Sequence, residues 1–187
     1  MEFTITKEGI HFEDYTWDEK TKTLSTKGDH LVIDFKDEST ITIKTGNNCI
    51  INTGPHCTVK TGTFCELNTG AHCDFITKSN CNFNTGSDCT FKTGSHCSFI
   101  TKDHCNFNTQ YECNFNTKNN CDFNTGSDCN FKTDDNCNFN TVDDCNFKTT
   151  QVCTFTSIFI IDSFYLCYRV CSFICCCNSK TYLSLIN

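Results

Sequence analysis

The feature that most constrains this chain is a cysteine that returns every eight residues. It stands at 49, 57, 65, 73, 81, 89, 97, 105, 113, 121, 129, 137, 145 and 153 without a missed step. Two places after each cysteine comes an apolar residue: Ile51, Val59 and Leu67, then Phe at every step from 75 to 155. Four places after each comes Thr, with Ser157 closing the series. Residues i, i+2 and i+4 scatter around a helix but share one face of a strand. A helix is therefore excluded, and Cys, Phe and Thr are assigned to one common face.

The residues between them, such as Asn82 and Asn84 or Thr90 and Lys92, fall on the opposite face and are polar. The last three residues of each octad, such as Gly86, Ser87 and Asp88, are turn formers. Gly often opens this trio, at 54, 62, 70, 86, 94 and 126. Each octad thus reads as a five-residue strand and a three-residue corner. A strand this short cannot bury its Phe alone, whereas stacked copies bury a continuous core. The expected fold is an all-β, parallel β-solenoid (β-helix) built from octapeptide repeats. Two octads (16 residues) per coil suit an interior two Phe wide, since packed sheets lie about 10 Å apart. Three octads (24 residues) per coil, a triangular prism, is the alternative.

The period extends upstream. Ile41 and Ile43 take the Cys and Phe places, with Thr45 in the Thr place, and one octad earlier Ile33 and Phe35 are assigned likewise. The expected organisation is an N-terminal cap over 1–30, the solenoid over 31–157, and a hydrophobic, Cys-rich tail over 158–187. Residues 158–177 are long enough for a membrane helix but carry Asp162 and Arg169. Closing the last coil as a cap is one role for the tail. Membrane association, helped by acylation of Cys171, Cys175, Cys176 and Cys177, is another.

The formal charge of −7 argues against nucleic acid as a partner. The first twenty residues are charged and read as no secretory signal, and no Asn-x-Ser/Thr sequon occurs. A reducing intracellular compartment or a virion is the expected location. Zinc sites want paired, convergent ligands, which a Cys-x7-Cys series does not supply. Disulfides between rungs would need Cβ atoms closer than the roughly 4.8 Å strand spacing. The regular cysteines are therefore read as small buried hydrophobes. Four of the six His (56, 72, 96 and 104) immediately precede a Cys, at a corner, and are expected to point outward. No acid pair, phosphate loop or nucleophile–base pair converges, so no catalytic, cofactor-binding or metal-binding residue is assigned, no cofactor is expected, and the chain reads as a non-enzyme.

The run from Cys81 to Lys102, CNFNTGSDCTFKTGSHCSFITK, resembles the Cys-x-Phe-x-Thr-Gly octapeptide-repeat proteins of large DNA viruses and some microbes. The resemblance covers about 49–157 and implies a β-solenoid and a viral origin, with no catalytic residues to carry over. The functional expectation is a rigid structural or interaction rod whose outward Asn, Lys and Asp ladders meet protein or glycan partners, with self-association through its ends or faces. A membrane-tethered spacer anchored by 158–177 is an alternative. Ice or crystal-surface binding is a weaker one, because the regular Thr faces inward.

Overall fold

The computed structural model describes residues 2–142, 144–149, 153–157, 163–166 and 172–175. Every regular element among them is a strand. The chain opens with β1 (Thr4–Lys7), β2 (Ile10–His11), β3 (Thr16–Asp18), β4 (Thr23–Ser25), β5 (Leu31–Asp34), β6 (Thr42–Lys44) and β7 (Ile50–Asn52). One strand per octad follows, to β20 (Thr154–Ser157), and then β21 (Ser163–Leu166) and β22 (Ser172–Cys175).

From β4 onward successive strands alternate between two sheets, each eleven strands deep among the described residues. Within the octad region each strand pairs in parallel with the strand sixteen residues on, so Phe75 partners Phe91 and Phe83 partners Phe99. This is the two-octad coil, and it excludes the triangular alternative. The inward parity is as expected. Every cysteine from 49 to 153 and every Phe from Phe75 to Phe155 is buried at 3% exposure or less, while the flanking asparagines are exposed.

The core is two facing columns of rings. Along one sheet Phe75, Phe91, Phe107, Phe123, Phe139 and Phe155 stack at 4.8–4.9 Å, nearly coplanar. Along the other, Phe83 to Phe147 do the same. Between the columns the rings meet edge-on, with centroids 4.9–5.4 Å apart and planes at 72–88°. Two Phe per coil fill the space between the sheets, one offering its edge to the face of the next.

The first coils depart from the sixteen-residue step. Ile33 partners Ile51 and Leu24 partners Ile43, offsets of eighteen and nineteen residues. Leu31 thus lies in register with Cys49, Ile33 takes the Phe place, and Phe35 the Thr place, correcting the assignment of Ile33 and Phe35 by octad counting. One extra residue lies in the corner between Thr26 and Leu31, and two more in the corner between Phe35 and Ile41. Phe35 there closes the core against Phe3, at 4.6 Å, and Trp17, at 5.9 Å. β1 lies antiparallel on β5, and β3 antiparallel on β4, so both parallel ladders end against a reversed strand. Reversal, with β2 folded back on β1, covers the parallel edge at this end of the stack.

Beyond Ser157 the pairing continues. Phe147 partners Phe164 and Phe155 partners Phe173, at offsets of seventeen and eighteen. The ladder therefore outruns the cysteine repeat. The membrane helix considered for 158–177 falls on residues described only at 163–166 and 172–175, where the backbone is β-strand; the remainder, with the Cys175–Cys177 run except Cys175 itself, lies outside the described residues. Among the described residues, no helix is long and apolar enough to cross a membrane.

Candidate functional site

Three surfaces repeat with the coil: an interior column of thiols, two outer faces, and two corner edges. Each cysteine follows a corner residue in the left-handed region. From Asn48 to Asp144, the thirteen residues that precede a Cys all have φ of 51–61°. All but Phe64 and Glu112 are Asn, Asp or His, the non-glycine types that tolerate this conformation best. This accounts for His56, His72, His96 and His104: the corner turns the backbone left-handed and aims their side chains outward. The sequence carried this signal in the recurrence of Asn, Asp and His before Cys. The corners are also tied coil to coil, as His56 N–H donates to Ala71 O and His72 N–H to Ser87 O, both at 2.9 Å.

The sixth octad place packs against the corner of the coil below. A Cβ on Gly54 would meet the Asp37 carbonyl oxygen at 2.2 Å, so this corner admits only hydrogen there. Side-chain oxygens at other corners serve as rungs: Asp103 Oδ1 accepts from Asn119 N–H, and Asn119 Oδ1 from Asp135 N–H, both at 3.0 Å.

The thiols form two interior columns. The cysteines from Cys49 to Cys137 are buried free thiols. Each donates to the carbonyl of the residue two places earlier, as Cys89 to Ser87 at 3.4 Å and Cys105 to Asp103 at 3.5 Å. Hydrogen bonding to Cys105, together with burial, pushes the Cys89 thiol up to about 11. Cys105 is raised to the same level by Cys121 and burial. These two thiols stay protonated at neutral pH, whereas hydrogen bonds from Cys105 and Cys137 push their neighbour Cys121 the other way, down to about 4. Beside them most Thr hydroxyls donate to the next residue's carbonyl, as Thr53 to Gly54 at 3.2 Å and Thr101 to Lys102 at 3.4 Å. Among the described residues, the buried Oγ1 atom of Thr109 has no partner.

The outer faces carry amide ladders. Asn130 Nδ2 donates to Asn114 Oδ1 and Asn146 Nδ2 to Asn130 Oδ1, both at 3.0 Å. On the opposite face Asn140 donates to Asn124 at 3.2 Å and Asn138 to Asp122 at 2.6 Å. On each face the two rails of side chains bank a shallow trough whose floor is the strand backbone at the Phe positions. One trough runs between Asn114, Asn130 and Asn146 on one bank and Asn116, Lys132 and Lys148 on the other. Towards the N-terminus, the opposite face changes character, with Lys44 in register with Lys60, and then Ile76 and Lys92.

Fold and surface together define the class: a two-sided parallel β-solenoid with amide-lined faces. Comparison with known proteins returned no matching family model, no matching curated relative and no matching solved structure.

Proposed function

We propose that this chain is a non-enzymatic structural or interaction protein, a rigid rod whose Asn, Lys and Asp rails engage protein or glycan partners. The observation that carries this reading is the pair of troughs banked by amide ladders. An amide inside the ladder, such as Asn130, spends one donor and one acceptor on its neighbours and keeps the others for solvent or a ligand. The core supports the same reading: rungs held by stacked rings and inter-coil corner bonds keep the rails at a constant spacing. A ligand with regularly spaced polar groups therefore meets a preorganised surface.

The test is capture of partners from host extract, and of immobilised glycans, by the wild-type chain and by an Asn114→Ala/Asn130→Ala/Asn146→Ala variant. The variant is expected to keep its β-sheet circular dichroism and lose partners retained by the wild type. An unchanged set of partners, for this variant and for the matching variant of the opposite face, overturns the reading.

A further inference from the structure

One corner edge of the rod carries, on consecutive coils, Thr40, His56, His72, Asp88 and His104, each in the left-handed conformation. The rings of His56 and His72 stack with centroids 4.8 Å apart and planes within 2°. Both residues are exposed, and neither ring makes a protein hydrogen bond among the described residues. The residues beside them, Pro55 and Ala71, are too short to shield the ring nitrogens. By contrast His96, on the other edge, is engaged, with its Nδ1 at 2.7 Å from Glu112.

We infer that His56 and His72 form a two-imidazole site for a late first-row divalent cation, of the class of zinc, nickel or copper, clamped across two coils. Neutral imidazole is a preferred ligand for these ions. With metal–nitrogen bonds near 2.0–2.1 Å, two cis nitrogens must come within about 3 Å of each other. In the stack the rings are parallel and their in-plane lone pairs do not converge, so binding requires both exposed side chains to rotate out of the stack towards a common point. Among the described residues no group of three or more His, Cys, Asp and Glu could hold a metal ion, so water completes the coordination. Asp88 occupies the same corner place one rung on. The inference does not depend on the proposed function. The two ligands lie sixteen residues apart in sequence and meet only when the coils stack, so the ion binds the folded state and stabilises it.

The experiment uses the full, untagged chain with Ni(II), read by titration and by thermal melting, beside His56→Asn, His72→Asn and the double variant. Asn keeps the left-handed corner, so the variants are expected to fold. The wild type is expected to melt higher with Ni(II). Either single variant should lose affinity by at least about tenfold, and the double variant little more, because a chelate fails when one arm is lost. His96→Asn should bind as the wild type does. Wild-type melting no more responsive to Ni(II) than the double variant overturns the site, as do single losses that merely add up.

Discussion

The ring of Phe107 lies 4.8 Å from that of Phe91, tilted by only 3°, while presenting its edge to Phe99 across the core at 5.2 Å. Each interior Phe is thus held by face contacts along its sheet and edge contacts across it. Phe107→Ala is expected to cost about 3–5 kcal/mol, because the neighbouring rungs are fixed and cannot close the void. Asn106→Ala, on the outward side of the same strand, should stay within about 0.5 kcal/mol. Urea denaturation of both variants checks this, and comparable losses at the two positions would contradict the assigned parity.

Phe64 has φ of 58° at a corner place that its counterparts, Glu112 apart, fill with Asn, Asp or His, and it is 60% exposed. Its left-handed backbone costs about 1–2 kcal/mol, and its ring gains little burial in return. Phe64→Asn should therefore raise stability by roughly 0.5–1 kcal/mol. A lower denaturation midpoint for the variant would mean that the ring contributes packing that its exposure conceals.

Thr109 is 7% exposed and its hydroxyl has no partner, whereas Thr101 donates to Lys102 O. Replacing a buried, unpaired hydroxyl by methyl removes a desolvation penalty of about 1–3 kcal/mol. Thr109→Val is expected to stabilise the rod, and Thr101→Val to do so less or to destabilise it. The comparison of the two variants by thermal melting is decisive, since both make the same chemical change.

Hydrogen bonding along the thiol column, together with burial, pushes Cys89 and Cys105 up to about 11 from the ordinary thiol value of 9.0. A raised thiol pKa means that the unfolded state loses its protons first. The stabilisation is complete below about pH 9 and is lost as pH rises to about 11, where unfolding is favoured by thiolate formation. Melting temperatures across this interval should fall for the wild type and fall less steeply for Cys89→Ala/Cys105→Ala. Parallel curves would remove these thiols from the account.

Much of this architecture was legible because the octad repeats its parity. Cys, Phe and Thr at even spacing could share a face only on a strand, and a lone strand could bury nothing. Coil size was less accessible, since two or three octads per turn satisfy the same alternation. What separates them is how Phe75 and Phe83 meet, edge to face across two sheets. The error at Ile33 and Phe35 has a similar origin. Leu31, Ile33 and Phe35 alternate, so the stretch fits the core in more than one register, and counting eights cannot detect a longer corner. The left-handed corners were present in the sequence as a recurring Asn, Asp or His, but their φ values became visible only in the structure. The His56–His72 stack required the coil size before the two residues could be seen as neighbours.

The alternation of octads between two sheets has a consequence for how such a gene can change length. A copying slip that inserts a pair of octads adds one whole coil and leaves every downstream side chain on its original face. A slip of a single octad keeps the interior intact, because the two halves of a coil are interchangeable inside. It nevertheless rotates everything beyond it by half a turn, exchanging the two outer faces and carrying corner histidines to the opposite edge. Selection on the surface, rather than on folding, would then restrict this lineage to even-numbered expansions.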